Sequence, residues 1–172
     1  MLDHNTITEF DKDIYSSDNY IEDEKKIRRL FNYYINYKYR NRILNKLMTR
    51  FCDENKLFSE VYMSTEEIKK LVQSGNIVGA HSVSHKVLSR LAYKEQFNEI
   101  ENSFHFIESI AVQDYKSFCY PYGYKSSYNS ITLNILDQLK INDACIFDNK
   151  AQGNEIKKYE LSRIDCNQFL KV

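Results

Sequence analysis

The stretch that most constrains this chain is Ile77–His85, a short apolar run that opens onto two histidines four residues apart. The apolar part follows Gly75 and ends at the first histidine, which is typical of a buried strand. Folds commonly place their chemistry at strand ends. The sequence therefore predicts that His81 and His85 lie at the rim of a sheet.

Histidines at positions i and i+4 share a face when the backbone between them turns helically, so both imidazoles can point at one ion. Imidazole nitrogen suits zinc, cobalt, nickel and iron, and a catalytic zinc site needs about three protein ligands and an open position for water. His81 and His85 would supply two of these ligands. Alternatively, His81 caps a strand and His85 caps the following helix without a metal. On spacing alone this second interpretation is favoured, because a pair of histidines is a weak motif.

Composition excludes several classes of protein. At 172 residues, with 42% hydrophobic and 14% aromatic residues, the chain has the size and core of one globular domain. The 24 basic and 24 acidic residues balance, so no excess charge favours nucleic acid or an anionic membrane. The basic residues between Lys38 and Arg50 alternate with apolar ones, which is more typical of the solvated face of a helix than of a binding stripe.

Cysteine usage and the first residues bear on the compartment. The four cysteines form no CxxC pair, which predicts buried free thiols in a reducing environment. The chain starts without the basic and apolar regions of an export signal, and no run approaches the roughly 18 apolar residues of a membrane span. We therefore expect no membrane span and a cytoplasmic location.

Periodicity divides the chain into elements. Residues 1–20 form a polar arm, and a helix from Glu22 to about Tyr37 with a second from about Asn41 forms a helical hairpin. A capping box at Ser64–Glu67 begins a helix that ends at Gly75. Later segments alternate between helix and strand, which indicates a parallel α/β sheet. These are a helix at 94–110, a strand at 117–120, a helix at 129–139, a strand at 143–147 and a last strand within 158–165.

The only proline of the chain lies in Pro121-Tyr122-Gly123, at the end of a predicted strand. Proline fixes its own backbone and Gly123 permits a positive φ, so the tripeptide is expected to form a rigid turn that can point backbone N–H groups into a site. His105, a solitary histidine in the long helix, is expected to have a core or surface role.

Three blocks in order carry a resemblance to a known family: Gly79–His85, Phe118–Gly123 and Leu161–Asp165. Together they resemble the polysaccharide deacetylase family, which carries the NodB homology domain, over roughly residues 60 to 168. The resemblance implies an α/β fold, an incomplete distorted (β/α) barrel with an N-terminal helical hairpin. Residues 21–172 would then form a partial deacetylase-like domain, with a helical insert at about 21–60 that resembles an insert of one bacterial branch.

The resemblance also implies an activity, the metal-dependent hydrolysis of acetyl groups from N-acetylated sugars in a glycan. A divalent metal, zinc in many members, would be bound by His81 and His85. Pro121, Tyr122 and Gly123 would bind substrate, and the backbone N–H of Tyr122 would donate to the developing oxyanion.

Weaker candidates follow from the last block and the turn. Arg163 and Asp165 match the late block as catalytic residues, but an arginine and an aspartate two residues apart are as readily an ordinary surface pair. Three residues after the turn would contact sugar or simply form a polar loop, namely Tyr124, Lys125 and Tyr128.

The third metal ligand is not identified. The family's first block, a strand ending in an aspartate pair, is not found, although Thr8–Asp13 superficially resembles it. The family's late histidine would also lie beyond Asp165. We therefore expect an incomplete site in a segment of a deacetylase domain, with association through an exposed sheet edge.

Two hypotheses remain open. In the first, the chain is an enzyme whose site is completed by a partner chain or an unrecognised aspartate. In the second, it is a truncated, inactive remnant that binds a glycan or a protein. Relatives often act at the cell envelope, whereas this chain shows no export signal.

Overall fold

The computed structural model describes Tyr15, residues 21–148 and residues 156–164. Contacts divide the chain into two compact units, one up to Tyr62 and the other from Met63. Among the helices of the described residues, none is long and apolar enough to cross a membrane.

The first unit is helical in its described part. Helix α1 spans Glu22–Arg29 and continues into a π-helical turn at Leu30–Tyr34. Helices α2 (Tyr37–Phe51) and α3 (Glu54–Val61) follow. Both predicted helices are thus present, but α2 begins four residues earlier than expected because the Asn36 side chain accepts from the Lys38 N–H and acts as its N-cap.

Residues 1–20, predicted as a polar arm, lie outside the described residues except for Tyr15. Tyr15 is buried, and its ring packs edge-on against that of Tyr33 at 6.4 Å between centroids. The Asn32 side-chain amide donates to the Tyr15 hydroxyl at 2.8 Å. The Thr8–Asp13 segment also lies outside the described residues.

The second unit begins with helix α4 (Thr65–Gln73), for which the predicted capping box is confirmed. Ser64 Oγ accepts from the Glu67 N–H, and the Glu67 carboxylate accepts from the Ser64 N–H at 2.8 Å. Gly75 adopts φ +88°, as the predicted C-terminal position requires.

Within the described residues, three short strands form a parallel sheet in the order β1-β2-β3. Strand β1 is Ser117–Cys119, β2 is Asp143–Phe147 and β3 is Leu161–Arg163. Helix α5 (Tyr93–Ile110) precedes β1, and helix α6 (Ser130–Gln138) connects β1 to β2. The predicted alternation of helices with parallel strands is therefore confirmed for these elements.

The prediction of a buried strand from Ile77 to Ala80 is wrong. Ile77 is 57% exposed, and only Ala80 pairs with the sheet, through a parallel bridge to Phe118. The Ala80 N–H donates to Ser117 O, and Ala80 O accepts from the Cys119 N–H, both at 2.9 Å. Gly79 permits this approach, because a Cβ there would lie 3.0 Å from Ser117 O.

The core of this unit lies between the helices and one face of the sheet. Phe118, Ala144 and Ile146 are buried on that face, and the Phe118 ring lies 6.2 Å from that of Phe104 on α5. Burial of each large apolar side chain contributes about 1.5–3 kcal/mol. The alternate residues Cys119, Cys145 and Phe147 point to the other, half-buried face.

Candidate functional site

His81 follows the bridge at Ala80, so it leaves the sheet beside the end of β1. Its Nδ1 lies 2.6 Å from Cys119 O. A carbonyl only accepts hydrogen bonds, so Nδ1 carries the proton and the lone pair of the neutral ring is on Nε2. A hydrogen bond of this kind fixes the orientation of metal-ligating histidines in general.

The electrostatics favour the neutral form of His81. Desolvation lowers its pKa below the usual value, the hydrogen bond to Cys119 O opposes this, and the positive charge of Arg163 lowers the pKa further. The ring is therefore neutral at pH 7, the state in which an imidazole binds a metal.

The histidine loop, residues 82–85, brings His85 back to His81. The two rings lie 4.9 Å apart between centroids, at an interplanar angle of 69°. The expected helical turn is not what achieves this, because Ser82 and His85 have φ of 63° and 51°. Ser82 Oγ accepts from the His85 N–H at 3.1 Å and closes the loop.

The alternative interpretation, in which His85 caps a helix, is not supported. The element that follows is a 3-10 turn at Leu88–Arg90, whose N-cap residue is Val87, and it has no side-chain cap.

A buried carboxylate on α5, that of Glu99, binds the middle of the histidine loop. Glu99 accepts from the N–H groups of Val83 and Ser84, at 3.1 and 2.8 Å, and from Ser84 Oγ. Lys86 Nζ lies 3.4 Å from the same carboxylate.

The Pro-Tyr-Gly turn, residues 121–123, lies against the histidine loop. The Tyr122 ring contacts the His85 ring edge-on at 4.7 Å, and the Tyr122 hydroxyl donates to His85 O at 3.0 Å. Gly123 has the positive φ that the sequence predicts, 72°, and Tyr122 has 67° as well. The structure thus brings His81, His85 and the three turn residues together.

The half-buried face of the sheet continues from His81 through Cys119 and Cys145. Burial raises the pKa of both thiols, and the charge of Arg163 opposes this. Arg163 ends β3, with its guanidinium carbon 5.9 Å from the centre of the Phe147 ring. It therefore adds positive charge to the face that carries His81.

The cysteines are less buried than predicted. Cys52 is exposed, Cys119 and Cys145 are half-buried, all three are free, and Cys166 lies outside the described residues. Cys119 and Cys145 lie on the half-buried face of the sheet, and Cys52 follows the end of α2, so their side chains do not reach the core.

The other candidates lie elsewhere. Asp165 lies outside the described residues. His105 is exposed on α5, in agreement with the core or surface role expected for it. Tyr128 is buried and donates to the Glu160 carboxylate at 2.6 Å, so it belongs to the packing rather than to a sugar-contacting loop. Tyr124 packs edge-on against Phe147 at 5.9 Å, and Lys125 is exposed.

The two imidazoles fit a divalent metal as two ligands, because their ring centroids lie 4.9 Å apart and His81 Nε2 has its lone pair available. Within residues 21–148 and 156–164, no group of three or more His, Cys, Asp or Glu side chains is placed to hold a metal ion. The described residues thus supply a partial ligand set.

Sequence reasoning missed Glu99, the Cys119 carbonyl and the Tyr122 side chain. Nothing in the sequence marks Glu99, because its neighbours on the same face of α5, Gln96 and Ser103, are polar and only the structure shows that they are buried. The carbonyl and tyrosine contacts depend on tertiary structure, and nothing in the sequence indicates them.

Comparison with known proteins gives two matches. A sequence model of the family described as polysaccharide deacetylase matches residues 38–144, which is more than half of the chain. The match begins within α2, inside the segment predicted as an insert, and ends before the Leu161–Asp165 block. None of the curated proteins matches the chain.

Among solved structures, the chain is similar to the Streptococcus pyogenes deacetylase PplD in complex with acetate, with 22% identity and a TM-score of 0.55. The alignment covers 63% of this chain and 48% of the Streptococcus protein, so the chain spans about half the length of that relative. This likeness shows a shared fold. With the family match across the histidine pair and the Pro-Tyr-Gly turn, it establishes that the chain belongs to the polysaccharide deacetylase family.

Proposed function

We propose that this chain hydrolyses acetyl groups from N-acetylated sugars of a glycan with the help of a divalent metal, zinc by preference, bound by His81 and His85. The observation that carries the proposal is the pair of rings 4.9 Å apart, one of them fixed with its Nε2 lone pair available, beside the Pro-Tyr-Gly turn. Family membership supports the reaction class, and the relative of similar fold was solved with acetate, the product that such a reaction releases.

Each residue has a role in this proposal. His81 and His85 bind the metal, which when bound polarises the acetyl carbonyl and lowers the pKa of a water molecule. Pro121, Tyr122 and Gly123 lie against the acetyl group, and the Tyr122 N–H donates to the oxyanion. Arg163 favours negative charge at this face of the sheet, and Asp165 is retained as a catalytic candidate.

The proposal extends to the architecture. The parallel sheet would be part of the distorted (β/α) barrel of the family, with the helical hairpin as an insert and the sheet edge as a surface for association. A third ligand would come from an unrecognised aspartate or from a partner chain. The cytoplasmic location stays a prediction.

Acetate release from N-acetylglucosamine oligomers in the presence of zinc tests the proposal. We expect His81→Ala and His85→Ala each to reduce the rate at least about 100-fold, because each removes a metal ligand. His105→Ala is the matched control, since this exposed histidine lies on α5 away from the pair, and should leave the rate unchanged. Release that persists in both site variants would contradict the proposal. Glycan binding without release by the parent protein would favour the non-catalytic binding module instead.

A further inference from the structure

Glu99 is a buried carboxylate that pairs with three residues in or next to the histidine loop, Val83, Ser84 and Lys86. The Glu99 residue is only 8% exposed, and a buried charge is stable only when it is paired and hydrogen-bonded. Two backbone N–H groups, one hydroxyl and one ammonium meet it, from Val83, Ser84 and Lys86. Helix α5 therefore holds the middle of the loop through one side chain.

The loop needs such support because of its backbone. Ser82 and His85 both adopt the left-handed region, at φ of 63° and 51°, which residues other than glycine rarely populate. Conformations of this kind persist only where the surroundings over-determine them. Glu99 accepts hydrogen bonds from the N–H groups of the two residues between them, Val83 and Ser84. Such charge-assisted hydrogen bonds are roughly twice as strong as neutral ones.

We propose that Glu99 is a positioning residue for the histidine pair: its carboxylate holds Val83 and Ser84 so that the His85 ring stays opposite His81. The inference rests on the proposed function, because it assigns Glu99 a role in metal binding by that site. Glu99 itself does not touch metal or substrate. Lys86 balances the charge of Glu99. Ile100, the next residue of α5, is fully buried, so Glu99 links the loop to a helix that is anchored in the core.

Amide hydrogen exchange of the metal-free protein tests the mechanical part of the inference. In the parent both loop N–H groups donate to Oε2, whereas Ser84 Oγ and Lys86 Nζ meet Oε1. In Glu99→Gln the negative charge is lost and an amide nitrogen replaces an acceptor at one of these two positions, so exchange at Val83 and Ser84 should accelerate at least about tenfold. Exchange along α5 should not change. Glu101→Gln is the matched control, because this half-buried residue lies on the same helix and the change removes the same charge.

Zinc affinity, with the absorption spectrum of bound cobalt as a second readout, tests the role at the site. Glu99→Gln should weaken zinc binding by about 10–100-fold, as loss of a residue that orients a ligand usually does, and should alter the cobalt spectrum. Glu99→Asp, which keeps the carboxylate, should restore part of the affinity. Glu101→Gln should leave affinity and spectrum as in the parent.

The outcomes separate the two proposals. Folded Glu99→Gln with parental exchange, or with zinc affinity within twofold of the parent, overturns the positioning role. If Glu99→Gln does not fold, the Ser84→Ala variant decides, because it removes the hydroxyl that contacts Glu99 and keeps the backbone N–H. A severalfold loss of zinc affinity with faster exchange in the loop supports the positioning role. Unchanged affinity and exchange overturn it. If the parent binds no metal, the proposed function fails, and the exchange result alone decides whether Glu99 holds the loop.

Discussion

The histidine loop and the Pro-Tyr-Gly turn contact one another, yet they are held in different ways. Each follows a segment paired in the parallel sheet, the loop after Ala80 and the turn after β1, and each contains left-handed backbone. The loop is held by side chains, chiefly Glu99 and Ser82. The turn is held by its backbone, because the Phe147 N–H donates to Gly123 O at 2.9 Å.

Two kinds of interaction therefore position one site, side-chain hydrogen bonds in the loop and backbone packing in the turn. When one side-chain contact of the loop is removed, the groups that lose their partner can form hydrogen bonds with water instead, so the protein can still fold. A turn pressed against a neighbouring strand has no such freedom. We therefore expect changes in the turn to act first on stability, and changes in the loop to act first on metal affinity.

The largest effect is expected for Gly123→Ala. A Cβ there would lie 2.5 Å from Phe147 N and 2.6 Å from Phe147 Cβ, at a φ of 72°. Backbone strain and the clash together should lower the free energy of unfolding by about 3 kcal/mol or more, measured by chemical denaturation.

Gly75→Ala is the matched control for that change. It has φ +88° but no atom within 4 Å of the added Cβ, so only the backbone term of about 1 kcal/mol applies. Equal losses in the two variants would show that the contact with β2 does not constrain the turn.

A smaller effect is expected for Tyr122→Phe. The ring remains against His85, but the hydroxyl bond to His85 O is lost, at a cost of about 1 kcal/mol in stability. Because this bond joins the turn to the loop, zinc affinity should fall by a few fold. An unchanged affinity, measured by calorimetry, would show that the loop is independent of the turn.

The two regions also differ in how far the sequence predicts them. Local signals succeeded: the Ser64–Glu67 capping box, Gly123 with its positive φ, and strand 143–147 all stand as predicted. The sequence pattern did not predict contacts between distant residues. Glu99 lies 15 residues from Ser84, and in the sequence it looks like an ordinary polar position of a helix.

The wrong strand at 77–80 has a similar physical cause. Apolar residues predict burial, but whether a segment becomes a strand depends on a paired neighbour, and here only Ala80 is paired. Proximity of His81 and His85 was predicted correctly, although left-handed residues rather than a helical turn bring them together.

The pH dependence of stability at the site follows from the pKa of His81. Its folded pKa lies below the usual value, so the unfolded state binds more protons in the interval between them. The stability from this group is present above the usual histidine pKa and is lost as pH falls through the folded pKa. Nuclear magnetic resonance titration of the metal-free protein should show a His81 pKa below the usual histidine value, and a pKa above that value would contradict this assignment.

The smallest effect concerns Arg163. Desolvation is the main cause of the low His81 pKa, the hydrogen bond to Cys119 O opposes it, and the charge of Arg163 is the second and smaller cause that lowers the pKa. Arg163→Gln should therefore raise the pKa of His81 by a small amount, visible in the same titration, without a change in folding. A fall in the pKa would show that the charge of Arg163 does not act on this ring.

The zinc stoichiometry and affinity of the purified chain test the central claim most directly, compared with the His81→Ala, His85→Ala double variant and with His105→Ala. We predict one zinc per chain in the parent and in His105→Ala, and none in the double variant. Zinc retained by the double variant, or absent from a folded parent, would contradict the claim that this pair of histidines forms a metal site.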